Sequence, residues 1–250
     1  MKIGDEIHRF ERCSSTLDEA RTLALAGGAE GTVVVAGEQT AGRGTKGRTW
    51  FSPPGRGLYV TVLLRPACPR LSLLPLAVGL AARDAAAASS DLDIRLKWPN
   101  DLVWEAKKLG GVVCEGGGGE SGPRFVLAGI GVNVAQAPEG FPPGLRDRAT
   151  SLASAAGRPV GMDDLLRLLC ESLETWYNIF ICGTGDKIVH AFQEIMTFTP
   201  GDRVRLETGG AVIDGTFIDL DAFGGLVCED GGRSITRPRS RPLSAAVKGE

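Results

Sequence analysis

The sequence predicts an α+β chain in two unequal parts, and three observations carry this. Through the first 197 residues strand-like and helix-like patterns are interspersed, with β-branched runs at 32–36 and 58–64 and an Ala- and Leu-rich run at 73–89. At Thr199-Pro200-Gly201 the character changes to short alternating runs between turn residues. That is the pattern of a small antiparallel β-barrel of about 45–50 residues. The 250-residue length accommodates one large domain and a small one, and 43% hydrophobic residues suffice for a core. The units are therefore drawn as 1–197 and 198–250.

Each element has a local reason. Residues 7–12 alternate apolar and polar and form a first strand. Ser14 or Ser15 caps a helix with Asp18 and Glu19 in its first turn, and Gly27-Gly28 ends it. The run 32–36 is a buried strand, 39–56 is a loop rich in Gly, Arg and Pro, and 58–64 is the next strand. The run 73–89 is a core helix, and strand 94–98 stops at Pro99. Strands follow at 102–104, 109–115 and 125–134, then a polar, proline-containing loop at 135–148. In 162–182, Leu165, Leu169, Leu173, Trp176 and Phe180 fall close to one helical stripe, and a shorter helix covers 188–196. The C-terminal runs are 203–207, 211–220, 226–229 and 233–236, with fraying from about Ser244.

Composition removes several function classes. A net charge of −2 makes no case for a nucleic-acid binder. The first 13 residues carry both signs of charge and no apolar segment, so a secretory signal is not expected and the chain reads as cytoplasmic. The longest apolar stretch, 71–88, is interrupted by Pro75, Arg83 and Asp84, which argues against a membrane span. Six scattered cysteines without a C-x-x-C, and only His8 and His190 beside them, argue against zinc and for buried free thiols.

The chemistry concentrates in 42–50. Gly42-Arg43-Gly44-Thr45-Lys46-Gly47 spells G-x-G-x-x-G, but Arg48-Thr49-Trp50-Phe51-Ser52-Pro53-Pro54 follows, which cannot be the helix a dinucleotide site requires. No Asp or Glu occurs between Glu38 and Asp84, while Arg43, Lys46, Arg48, Arg56, Arg65, Arg70 and Arg83 do. Basic side chains among glycines suit a polyanion, either a phosphate chain or a carboxylate next to one. Such a loop also suits ordering on a ligand. The alternative is a solvated basic loop. Lys97-Trp98-Pro99-Asn100-Asp101 then sets an amide and a carboxylate in a turn at a strand end. Plain turn residues are the alternative there. Lys107-Lys108-Leu109-Gly110-Gly111 offers a point charge followed by room for close backbone approach. An exposed hairpin lysine is the competing reading. Singly these patterns are common; together, in this order, they are specific.

With Ser15-Thr16 and Gly129-Ile130-Gly131-Val132-Asn133, these segments resemble the biotin protein ligase family over most of the first 135 residues. The G-R-G-x-x-G-R-x-W loop combined with K-W-P-N-D carries the resemblance. It implies a class II synthetase-like catalytic domain, a mixed sheet flanked by helices, followed by an SH3-like β-barrel. Some relatives carry an N-terminal helix-turn-helix; this chain begins at the catalytic domain, so a ligase without DNA binding is expected.

The implied reaction activates biotin with ATP as biotinyl-5'-AMP, then transfers biotin to a lysine of a biotin carboxyl carrier domain of a carboxylase. By the resemblance, Lys108 bridges the biotin carboxylate and the α-phosphate, Arg43 lies over the adenylate and Arg48 holds the phosphates. Ser15, Thr16, Gln39, Gly42, Gly44, Thr45 and Gly111 join Arg43 and Lys108 around biotin. Trp50 and Asn133 are placed at the adenine, and Asn100 near Mg²⁺ that is held by the ATP phosphates, with no direct metal ligand. Asp101 is the candidate acceptor for the proton of the attacking amine. Two positions depart from the family: Leu17 stands where Asn is frequent, and Thr45 where Arg is frequent near the adenylate phosphate. Lys46 or Arg48 is expected to compensate. The carrier is expected to pair with an edge of the catalytic sheet, and monomer and homodimer both stay open. A lipoate ligase would carry Arg-Arg-x-x-Gly-Gly-Gly, absent here. An octanoyl-transfer enzyme would leave the basic loop unexplained, and a biotin-binding sensor would not need Lys108 and Asp101.

Overall fold

A computed structural model describes residues 2–68, 70–118, 124–208, 211–230 and 233–237. The fraying expected from Ser244 lies outside them. A seven-stranded sheet is built from β1 (Ile7–Phe10), β2 (Val33–Ala36), β3 (Gly57–Leu64), β4 (Arg95–Lys97), β5 (Asp101–Trp104), β6 (Lys107–Gly117) and β7 (Phe125–Asn133). Its order is β1-β2-β3-β7-β6-β5-β4. The β1–β2 pair is parallel and every other pair antiparallel, so the sheet is mixed.

Helices cover both faces. α1 (Thr16–Leu25) lies on one, where Leu17, Ala20 and Ala24 pack with Val34, Leu63, Phe125 and Leu127. α2 (Leu74–Ser90), α4 (Met162–Ile181) and α5 (Gly185–Ile195) lie on the other, over Val33, Val35, Val60, Val62, Val126 and Ala128. Burial on both faces explains why all eight residues of β3 are buried and why its sequence is a continuous apolar run. The helix starts follow their local signals. The Ser15 hydroxyl accepts from Leu17 N, with Asp18 and Glu19 in the first turn, and Pro75 stands in the first turn of α2 where its missing N–H costs nothing. By length and mean hydropathy the segment Leu71–Ser90 would reach across a bilayer. Its apolar residues Leu74, Leu76, Ala77, Leu80 and Ala81 are instead buried in the protein core.

Two features differ from the sequence reading. A five-residue helix, α3 (Leu152–Ala156), stands where no helix was expected; it is too short to show periodicity and is set by its caps, the Ser151 side chain and left-handed Gly157. The C-terminal part, β8 (Arg203–Thr208), β9 (Ala211–Leu220), β10 (Leu226–Asp230) and β11 (Arg233–Arg237), is a four-stranded antiparallel meander in the order β11-β10-β9-β8. It corrects the expected closed barrel: β8 and β11 are opposite edges and do not pair among the described residues. The sheet has no need to close on itself, because Val204, Phe217, Leu220, Leu226 and Cys228 are buried in the same core as α2 and α4.

Candidate active site

A cavity of about 540 Å³ opens over the face of the sheet that carries α1. Its floor is low because glycine replaces side chains there. Along β7, Phe125 and Leu127 fill the space beneath α1, and the next residues on that face are Gly129 and Gly131. A Cβ at Gly129 would lie 2.8 Å from Val113 Cγ1, and one at Gly131 would lie 2.6 Å from the Trp50 ring. On β6, a Cβ at Gly111 would meet Asp101 Oδ1 and Lys108 Nζ, each at 3.4 Å.

Lys108, opposite Val103, and Asp101, opposite Gly111, stand on the two strands of the β5–β6 hairpin. Its two-residue turn, Glu105-Ala106, takes φ 44° and 66°. That is the twist-matched hairpin geometry normally supplied by Asn-Gly, and here non-glycine residues bear it. The register places Lys108 Nζ 2.7 Å from Asp101 Oδ1, with both side chains mostly shielded from solvent. The ammonium also lies 5.3 Å from the centroid of the Trp50 ring. The indole Nε1 of Trp50 is buried against Gly131 without a hydrogen-bond acceptor.

The glycine loop folds on itself. Gly44 N donates to Arg48 O at 2.7 Å, Trp50 N donates to Gly42 O at 2.8 Å, and Lys46 sits at the tip in the left-handed region at φ 59°. Arg43 reaches back to α1 and makes a two-pronged pair with Asp18, both contacts 2.8 Å. Glu115 Oε1 lies 3.9 Å from Arg43 Nε and the Glu115 carboxylate also receives Arg21 at 2.6 Å. The hydrogen bonds with Arg43 hold the Asp18 carboxyl below its ordinary range, and the same bonds raise Arg43. Arg48 donates to the carbonyl and the hydroxyl of Thr45. Arg48 and Thr45 line the cavity and Lys46 is not among its lining residues.

The cavity thus brings together Thr16, Gln39, Arg43, Gly44, Thr45, Arg48, Trp50, Asn100, Asp101, Lys108, Gly111 and Asn133, from segments far apart in sequence. Ser15 and Gly42 stand behind its wall. Ser15 is fully buried as the cap of α1, and Gly42 is packed so that a Cβ would lie 2.7 Å from Ser52 Oγ and Trp50 O. Gln39 ties two walls together, accepting from Thr16 N and Oγ1 and donating to Ser52 Oγ. Asn100 donates to Val112 O, and Asn133 donates to Thr150 O at 3.0 Å and Lys108 O at 3.5 Å. Leu17 is buried under the floor, packed near Gly129, and also lines the cavity.

Sequence reasoning missed one wall. Phe141, Leu145, Asp147, Arg148 and Ala149 line the cavity from the loop read only as polar. Backbone pairing brings that loop in: Lys108 N donates to Arg148 O, and Thr150 N to Lys108 O. Phe141 and Leu145, apolar within a polar stretch, were the available signal. Asp18 and Glu115, the partners that hold Arg43, also went unnoticed. No disulfide forms among the six cysteines. Cys13 and Cys228 are buried as expected, but Cys182 is exposed just past α4. Burial pushes the Cys13 thiol up to about 11, so it is no nucleophile at neutral pH.

Comparison with known proteins gives the family and the fold. Residues 10–133 match the model of the Biotin/lipoate A/B protein ligase family. The bifunctional ligase/repressor BirA of Bacillus subtilis is 34% identical over 91% of this chain and 70% of its own length. The biotin–[acetyl-CoA-carboxylase] ligase of Mycobacterium tuberculosis is 32% identical over 82% of this chain and 76% of its own. The biotin protein ligase of Aquifex aeolicus, solved with biotin and ATP, superposes with a TM-score of 0.83 at 27% identity, covering 94% of this chain and 97% of that one. The fold, the cavity and these likenesses together establish that the chain belongs to the biotin protein ligase family.

Proposed function

We infer that the protein is an ATP-dependent biotin protein ligase, which activates biotin as biotinyl-5'-AMP and transfers it to a lysine ε-amine of a carrier protein. The observation that carries the residue assignment is the convergence of 42–50, 97–101 and 108–111 on one cavity. In the first step a biotin carboxylate oxygen bonds to the α-phosphorus, and the bond to the β-phosphate oxygen breaks to release pyrophosphate. Two anions must approach, so a cation between them lowers the barrier. Lys108 suits this role as a compact charge on a strand, and its pair with Asp101 and its contact with the Trp50 ring support the reading. Arg43 and Arg48 at the cavity edge suit the phosphates. Thr16, Gln39, Gly44, Thr45 and Gly111 form the biotin wall, with Ser15 and Gly42 supporting it from behind, and Trp50 and Asn133 flank the adenine.

In the second step the carrier amine attacks the acyl carbon and AMP leaves. A lysine amine is nearly all protonated at its reference pKa of about 10.4, so it must lose a proton. Asp101 has one oxygen held by Lys108, and its second oxygen takes that proton. Mg²⁺, which screens phosphate charge when bound, fits a site held mainly by the nucleotide. Asn100, which lines the cavity and whose amide nitrogen is committed to Val112 O, would offer its amide oxygen to the ion's shell.

The carrier is proposed to be a biotin carboxyl carrier domain of a carboxylase, met in the cytoplasm. Of the two sheet edges, β4 is bridged by Met196 at Leu96, which favours β1. Phe10 O and Glu6 O accept from β2 side residues, so Ile7 and Arg9 turn their backbone outward. Arg9→Pro is expected to slow transfer to the carrier and leave adenylation intact; undisturbed transfer removes this docking edge. A unit boundary at 197/198 is proposed, supported by the four-strand meander that follows it. The primary test is biotin-dependent exchange of labelled pyrophosphate into ATP. Exchange with biotin and not with lipoate, lost in Lys108→Ala, is expected; exchange that survives in the variant overturns the role of Lys108.

A further inference from the structure

Trp98 sits between cavity-lining residues and yet points away from the cavity. Lys97, Asn100 and Asp101 face the site, while Trp98 is 8% exposed and joins the core with α2. Its indole N–H donates to Gly224 O at 3.0 Å, across 126 positions of sequence. Gly224 belongs to the β9–β10 turn of the C-terminal sheet. That turn is fixed from within: Asp221 Oδ1 accepts from Phe223 N and Gly225 N, both at 2.8 Å. It is also seated from outside, since a Cβ on Gly224 would run into Leu76 Cδ1 of α2. The acceptor carbonyl therefore has little freedom.

From Trp98 the path to the chemistry is short. Asn100 N donates to Lys97 O at 3.2 Å, and Asn100 exchanges bonds with Val112 on β6 through its carbonyl and its side chain. Asp101 then pairs in register with Gly111 and holds Lys108. We propose that Trp98 and Asp221 are positioning residues, through which the C-terminal sheet sets the 97–101 turn at the geometry the cavity requires. This rests on the ligase reading above. A misplacement of about 1 Å in a reacting group costs up to about a hundredfold in rate. A buried donor whose acceptor has moved also disfavours the native turn.

The test uses the full chain with Trp98→Phe, which keeps a ring and removes the donor, and Asp221→Ala, which loosens the turn that presents the acceptor. Phe223→Ala, at the 59% exposed tip of the same turn, is the control. Biotin affinity is expected to stay within about twofold in both variants while kcat for exchange falls about tenfold or more. The double variant is expected to be no slower than the slower single one, because both changes cut the same link. Hydrogen exchange at the Val112 amide, whose acceptor is Asn100 O, is expected to quicken in both variants and not in the control. That readout does not depend on turnover, so it separates this proposal from the ligase reading. A folded Trp98→Phe with wild-type kcat and unchanged Val112 protection overturns the proposal. So do multiplicative losses in the double variant, or losses of kcat, biotin affinity and Tm in equal measure. Should Trp98→Phe fail to fold, Asp221→Ala decides alone.

Discussion

The two charged pairs of the site are held in different ways. Lys108 and Asp101 project from adjacent strands of one hairpin, so backbone pairing positions both before either side chain is placed. Arg43 and Asp18 join a glycine-rich loop to the first turn of α1 through their side chains, while backbone bonds from Thr40 N to Cys13 O and Ala41 N to Ser14 O hold only the base of the loop. The first pair is 31% and 23% exposed, the second 37% and 43%. The hairpin pair is thus the more shielded of the two and is fixed by strand pairing. The loop pair can be exchanged for another anion at small cost, because a partly exposed ion pair is worth only about 0–1 kcal/mol. In the proposed mechanism this is a division of labour, with chemistry on strands and closure on a loop, so that a reactive mixed anhydride is shielded without moving the groups that make it.

The largest expected effect falls on the scaffold pair. Lys108→Ala should lower pyrophosphate exchange by about 10²–10³-fold, the scale of removing one preorganised charge stabiliser. A loss smaller than that of the loop variants would break the distinction. Next comes the floor. Gly131→Ala introduces a Cβ 2.6 Å from Trp50 and should push the indole off β7. Overpacking of this kind costs about 1–3 kcal/mol, and thermal unfolding with tryptophan fluorescence will report both the cost and the displacement. A raised KM for ATP should accompany it.

Smaller effects belong to the loop. Asp18→Asn should leave stability within about 1 kcal/mol and hasten proteolytic cutting between 43 and 49 several-fold, because Arg43 loses its charged anchor. Equal cutting rates would mean that Asp18 does not hold the loop. The smallest effect is on pH. The Asp18 carboxyl is depressed by Arg43, so its contribution is fully present above the ordinary aspartate pKa and is lost as pH falls through the lower folded value. Wild-type loop protection should therefore weaken only in that acid window, while Asp18→Asn shows no such step. Hydrogen exchange as a function of pH checks it.

Most of the cavity was legible because its residues lie in short motifs whose spacing has local meaning. Gly42 to Trp50 is a loop by composition, 97–101 is a turn because of Pro99, and Lys108 to Gly111 follows a hairpin. The rest involves partners distant in sequence. Asp18 reads as a first-turn carboxylate that favours the helix end, which it is, and nothing local says that it also anchors Arg43. The wall at 141–149 enters only through backbone bonds with Lys108. Asn133 reads as a ligand contact, yet its amide nitrogen is committed to the backbone at Thr150.

By itself the sequence determined the elements that short-range forces decide: the capped start of α1, the buried run of β3, the apolar stripe of α4 and the change of period after Thr199. It also determined the chemical inventory, because an acid-free basic loop among glycines keeps its character in any fold. Only the tertiary structure decided which anion each cation faces, which loop completes the cavity and whether the last four strands close. Those outcomes depend on what covers an apolar face and on contacts across a hundred or more residues, such as Trp98 with Gly224. Alternation along a strand carries no record of the surface that its buried side will meet.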